Sequence, residues 1–259
     1  MFPLSIDQVL NFRRTVRNKE QIRQFVWDAM EIAGLANGGT LYDKIPDFKR
    51  SYAAATNVIN LDVWKEASVI KSNPDKAQRP LRKLALESGK TVYMAVPRLR
   101  QPKCFVEISS SLGASSEILS TMEGALKYGK PVSPSDLGLI DLVISGSVAV
   151  NREGMRIGKG GGFADIEFAL AVEAGSVTNK TVVLTTVDQI QILDEPFPWS
   201  RHDVSVDYIV SEEEIIFCDR LKSRPAGIYW EDLGESKLQE IPLLKSLYET
   251  FNSESPYES

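Results

Sequence analysis

The run Arg156-Ile-Gly-Lys-Gly-Gly-Gly-Phe-Ala-Asp165 places glycines at 158, 160, 161 and 162, between a β-rich stretch and an alanine-rich helical one. Glycines let backbone N–H groups turn toward a ligand, and the N-terminus of a following helix adds partial positive charge, a combination that suits a phosphate. Arg156 and Lys159 add full positive charges. Asp165, near the first turn of the helix, is the residue type that holds a magnesium ion bridging phosphate oxygens, since Mg²⁺ takes only one or two protein carboxylates. A flexible turn with solvated cations would show the same residues, and the motif alone leaves both readings open. Two commoner fingerprints are excluded. A dinucleotide G-x-G-x-x-G would need glycine at Phe163, and Gly89-Lys90-Thr91 lacks the glycine at Leu84 that a Walker A loop requires.

The elements around this loop are legible as periodicity. An amphipathic helix starts near Asn18, with Ile22, Phe25, Val26 and Met30 on one face, and a second spans Tyr52 to Trp64 after the break at Gly38-Gly39 and Pro46. Ser68–Ile70 reads as a strand, Asn73-Pro74 as an N-cap with proline at the first helical position, and Gly89 as the end of that helix. With the strand Thr91–Val96 these make a βαβ unit. The module recurs as the strand Leu139–Ile144, the glycine loop, the helix Asp165–Ala174 and the strand Thr181–Thr185; β-rich runs at Val204–Val210 and Glu214–Cys218 follow. The fold class expected is α/β, a three-layer α/β/α arrangement with a mostly parallel sheet, plus N-terminal helices and a helical C-terminal tail. The expected organisation is an α/β domain over residues 1–220, a helical extension over 221–251 and a disordered tail over 252–259.

Composition narrows the partners. A chain of 259 residues with 43% hydrophobic and 25% charged residues can bury a sizeable core. A net charge of -5 and a pI near 5.2 oppose binding to nucleic acid or acidic membrane, so a small-molecule substrate is expected. Two distant cysteines and one histidine cannot build a zinc site and fit a reducing compartment. With no apolar stretch of membrane-spanning length, a cytoplasmic protein is expected. No pattern speaks to oligomeric state.

The glycine run resembles the 5-formyltetrahydrofolate cyclo-ligase family, whose signature is close to R-L-G-x-G-x-G-Y-Y-D and is matched here by Arg156, Gly158, Gly160, Gly162 and Asp165. The resemblance extends to Lys19-x-x-Ile22-Arg23, to Gly89-Lys90 before a strand ending Val96-Pro97, to Asp141-Leu-Val-Ile and to His202-Asp203 with Val206-Asp207-Tyr208, covering roughly residues 18 to 212. It implies ligase activity with ATP and Mg²⁺ as cofactors and one-carbon metabolism as the setting: ATP phosphorylates the formyl oxygen of 5-formyltetrahydrofolate, N10 attacks the activated carbon, and phosphate leaves to give 5,10-methenyltetrahydrofolate. By the same resemblance Lys19, Arg23, Arg156, Gly158, Lys159, Gly160, Gly161, Gly162, Phe163 and Asp165 bind nucleotide, Arg156 and Lys159 act in catalysis, Asp165 holds the metal, and Phe105 and Glu107 bind the folate ring.

The chain departs from the family pattern at Phe163-Ala164, where the signature has an aromatic pair, at Ser145, where it has proline, and near Lys130-Pro131-Val132, where a Glu-Pro pair is missing. These changes fall on the acceptor side, the pattern expected of a paralogue with a different formyl-amine or amide substrate. A non-catalytic binding module is a third reading. His202 reads as a loop anchor in preference to a catalytic base. Lys71, Arg79 and Arg82 form either a solvated basic face or a ligand-binding edge, and Arg98 and Arg100 share that ambiguity. The four tryptophans read as packing residues.

Overall fold

The computed structural model describes residues 18–219 and 222–254. The capping box at the first helix forms from its sequence pattern: Asn18 accepts from the Gln21 N–H at 2.9 Å, and Gln21 Oε1 accepts from the Asn18 N–H at 3.1 Å. Helix α1 (Lys19–Ile32) follows and buries Ile22, Val26, Trp27 and Met30. The expected helix 52–64 is two pieces, α2 (Ser51–Val58) and a short turn Asp62–Glu66, because Leu61 adopts extended backbone.

Eleven strands form two sheets among the described residues. They are β1 (Val69–Ser72), β2 (Thr91–Ala95), β3 (Phe105–Ile108), β4 (Lys130–Val132), β5 (Leu142–Ile144), β6 (Ala149–Asn151), β7 (Arg156–Ile157), β8 (Val182–Thr186), β9 (Ile192–Leu193), β10 (Tyr208–Val210) and β11 (Ile215–Phe217). The large sheet has the order β11-β10-β8-β5-β1-β2-β3-β4. Its centre, β10-β8-β5-β1-β2, is parallel, and β11, β3 and β4 pair antiparallel at the edges. The fold is therefore mixed α/β, a large, mostly parallel central sheet with flanking helices. The central strands read as continuous apolar runs because residues such as Ile70, Val92, Leu142, Val183 and Ile209 are all fully buried.

The glycine loop does not follow β5 directly. A small sheet, β7-β6-β9, intervenes, with β6 antiparallel to β7 and parallel to β9. The loop leaves β7 and leads into helix α3 (Phe163–Glu173). Nor does the core stop near residue 220. Ile241 and Leu244, 0% exposed, belong to the same hydrophobic cluster as the central strands, so residues of the C-terminal segment complete the main core. Its last helix runs from Pro242 to Glu254, three residues into the segment expected to be disordered; the remainder of that tail lies outside the described residues.

Candidate functional site

A cleft of about 720 Å³ opens at the carboxyl ends of β1 and β5 and is lined by the glycine loop. The chain leaves β1 toward β2 on one side, whereas the chain after β5 reaches β8 on the other, so the cleft lies at the sheet's topological switch point, where open α/β sheets bind ligands. Asn73 marks the spot. Its N–H donates to the Ile144 carbonyl at 3.0 Å, and its Oδ1 accepts from the Gly146 N–H at 3.0 Å and from Ser145 Oγ at 3.2 Å. It is not the helix N-cap expected from sequence. The helix downstream begins only at Arg79, and Asn73 is 3% exposed at the end of β1.

The loop itself has the shape an anion needs. Gly160 (φ +106°) and Gly162 (φ +68°) adopt left-handed backbone, and the N-terminus of α3 carries no side-chain cap, which leaves its first N–H groups without an intrahelical or side-chain acceptor. Arg156 is 6% exposed; Nη1 donates to the Gly146 carbonyl at 2.8 Å and Nη2 to Asp165 Oδ1 at 2.6 Å, while its buried Nε has no partner. An orphaned guanidinium N–H beside an uncapped helix start fits a phosphate oxygen.

Lys19 and Arg23 arrive at the same cleft from α1. Arg23 Nε donates to the Gly158 carbonyl at 2.7 Å and so braces the glycine loop, while Lys19 Nζ contacts Asp203 at 2.6 Å in the neighbouring turn; both line the site. Lys159 pairs with Asp75 at 3.1 Å. Asp165 spends Oδ1 on Arg156 and on the Val204 N–H at 3.2 Å, leaving Oδ2 for a cation. Mg²⁺ carried by a nucleotide takes one or two protein carboxylates, a demand that Asp165 and Asp75 fit; no cluster of three or more candidate metal ligands forms among the described residues.

Phe105 and Glu107 are not brought to the cleft. Phe105 is wholly buried in the core, and Glu107, on the antiparallel edge of the sheet, accepts from the Tyr93 hydroxyl at 3.2 Å. His202 lines the cleft but stands 3.8 Å from Asp232; the anchor of its loop is Asp203, which accepts from the Ser200 N–H and hydroxyl and from Lys19. Arg82 is neither solvated nor a ligand cation. Burial brings it down to about 10, and it donates to the carbonyls of Asn73, Pro74, Asp75 and Ser120, holding the loop at the cleft edge in place. Arg98 lines the cleft with φ +57° and Leu99 follows at +52°, two adjacent non-glycine residues in left-handed backbone of the kind concentrated at functional sites.

The floor of the cleft holds a buried ion pair in which Lys71, expected at a basic face or ligand edge, meets Glu167, which the sequence pattern did not single out. Lys71, on β1, ion-pairs with Glu167, on α3, and Asn73 Nδ2 donates to the same Glu167 oxygen at 2.7 Å. Burial raises the Glu167 carboxyl above its ordinary value, Lys71 opposes the rise, and Asp75 and Asp165 add to it. The available signal was a lysine inside a β-rich run and a glutamate inside an alanine-rich one, each a charged residue where the pattern demands burial.

The model of the 5-formyltetrahydrofolate cyclo-ligase family matches residues 15–212. A methenyltetrahydrofolate synthase domain-containing protein of Homo sapiens is 38% identical over 235 residues, covering 89% of this chain and 61% of its own length. The protein of the same name from Bos taurus is 39% identical over 235 residues, with 89% and 62% covered. The chain thus spans less than two thirds of the length of these curated relatives. Among solved structures, an Aquifex aeolicus 5,10-methenyltetrahydrofolate synthetase is 18% identical, with TM-score 0.48 and coverage of 83% of this chain and 99% of the other. One from Mycoplasma pneumoniae is 13% identical, with TM-score 0.43 and coverage of 75% and 98%.

Proposed function

Because the chain belongs to the 5-formyltetrahydrofolate cyclo-ligase family, we propose that its cleft binds ATP·Mg²⁺ and uses it to close 5-formyltetrahydrofolate to 5,10-methenyltetrahydrofolate. The observation that carries this reading is the Arg156 guanidinium, buried beside the uncapped start of α3 with one N–H unpartnered, in a cleft at the switch point of the sheet. ATP, when bound, supplies the phosphoryl group that activates the formyl oxygen. The chain's own contribution is positioning and neutralisation of charge, which is most of what phosphoryl transfer asks of a protein. In this reading Gly160 and Gly162 turn backbone toward the phosphates, Arg156 and Lys159 meet the charge that builds on them, and Asp165 Oδ2 would take the metal. Arg23 fixes the glycine loop through Gly158, and Lys19 fixes the neighbouring turn through Asp203.

A second reading, a relative that activates a different formyl-amine or amide, is favoured by Phe163-Ala164 and by the position of Phe105 and Glu107 away from the cleft. One assay separates the two: purified protein, ATP·Mg²⁺ and 5-formyltetrahydrofolate, with methenyltetrahydrofolate followed by absorbance and ADP measured in parallel. Equimolar formation of both products is expected for the cyclo-ligase. ATP binding without methenyl product would defeat that substrate assignment and leave the second reading.

A further inference from the structure

The strongest polar feature not yet given a role is the floor of the cleft. Lys71 and Glu167 have side chains only 2% and 6% exposed, and Asn73 is 3% exposed. Both hydrogen bonds to the Glu167 carboxylate, from Lys71 Nζ and Asn73 Nδ2, fall on Oε2, and none is formed to Oε1 among the described residues. Glu167 also lines the cleft, as do Asn73, Asp75 and the glycine loop.

A buried ion pair is a poor device for stability. Desolvating two charges costs about as much as their attraction returns, and apolar residues of similar volume often replace such pairs at no loss. Stability alone therefore does not explain why Lys71 and Glu167 occupy this position. What the pair does provide is an oriented carboxylate. Asn73 is itself fixed by the Gly146 N–H and the Ser145 hydroxyl, so it presents its Nδ2 donor to Glu167 in a set direction. The cleft therefore offers N–H donors and positive charge at the glycine loop, and the Glu167 Oε1 as a hydrogen-bond acceptor at its floor.

We propose that Glu167 is the acceptor-recognising residue of this cleft: its Oε1 accepts a hydrogen bond from a neutral N–H donor of the second substrate, an amide or an amino-substituted nitrogen heterocycle, while Lys71 and Asn73 hold its other oxygen. This rests on the reading that the cleft joins a nucleotide to an acceptor. It places acceptor recognition on α3, the helix that also bears Asp165, and it assigns to Glu167 the carboxylate role that Glu107 does not reach the cleft to play.

The test compares wild type with the double variant Lys71→Met/Glu167→Gln, which removes both charges together. In that variant Asn73 Nδ2 engages the Gln amide oxygen, so the amide NH₂ faces the cleft and the polarity of the floor is reversed. Glu167→Asp, which keeps a charge for Lys71 but shortens the reach, is the second variant in case the first does not fold. Calorimetric titrations use ATP·Mg²⁺ and three N–H probes: 5-formyltetrahydrofolate, pterin and formanilide. The expected result is about a tenfold or greater loss of probe affinity with ATP·Mg²⁺ affinity held within about twofold, the size of effect a hydrogen bond to a charged group exerts. Unchanged probe affinity in a folded variant overturns the proposal, as does a parallel fall in ATP·Mg²⁺ affinity, which would make the pair a support for the phosphate cradle. Failure of all three probes to bind wild type also overturns it. Glu167-dependent binding of pterin or formanilide without 5-formyltetrahydrofolate supports the proposal and ends the cyclo-ligase reading instead.

Discussion

Arg156 holds Asp165 at 2.6 Å, joining the two ends of the glycine signature with a guanidinium that is nearly sealed from solvent and a carboxylate that is one-fifth open to it. The pair balances charge at the cradle, because the Asp165 carboxylate lies against the Arg156 guanidinium. Asp165→Asn should therefore weaken nucleotide binding by about tenfold when Mg²⁺ is present and leave metal-free nucleotide binding unchanged or tighter. Titrations with and without EDTA read both arms. Equal loss in both would show that Asp165 acts only through the shape of the loop.

Gly160 tests whether backbone conformation makes the cradle. At φ +106° a β-branched side chain is strained, by about 1–3 kcal/mol, and its Cβ would stand 3.4 Å from the Arg23 guanidinium. In Gly160→Val we expect a folded protein whose melting temperature no longer rises with ATP·Mg²⁺. Retained nucleotide-dependent stabilisation would reduce the loop to a simple turn.

The C-terminal segment should behave as core. Leu244 is 0% exposed within the main hydrophobic cluster, so Leu244→Ala is expected to cost about 2–5 kcal/mol in urea unfolding. A loss below about 0.5 kcal/mol, typical of surface changes, would separate this segment from the fold.

Both cysteines are buried, and burial pushes each thiol up to about 12. At pH 8 that leaves about one thiolate in ten thousand, so iodoacetamide should label neither residue in the native protein and both after denaturation. The folded values lie above the ordinary 9.0, so the stability these groups contribute is fully present below pH 9.0 and is lost as pH rises toward 12. Urea midpoints at pH 8 and pH 10 should fall in that order, and labelling of the native protein at pH 8 would contradict the burial.

The parts legible in the sequence were those written in local pattern. The apolar spacing from Asn18 announces the first helix, and the glycine run announces backbone that must turn. The small sheet was not legible, because β6, β7 and β9 are two or three residues long and carry no alternation to detect. Asn73-Pro74 has the composition of a helix start, yet the contacts that make Asn73 a site residue come from Gly146 and Glu167, far along the chain. Lys71 was legible as a cation at the strand end but Glu167 was not, since a charge in an apolar run has meaning only once its partner is known. Ile241 and Leu244 joined the core through packing against strands that periodicity alone does not place.

Whether Arg156 at the start of α3 holds nucleotide phosphates is read by isothermal titration of ATP·Mg²⁺ into wild type and Arg156→Met, with unfolding midpoints recorded for both. One saturable site is expected in wild type, and an affinity lower by about a hundredfold or more in a variant that remains folded. Equal heats and equal affinity in the two proteins would contradict the account.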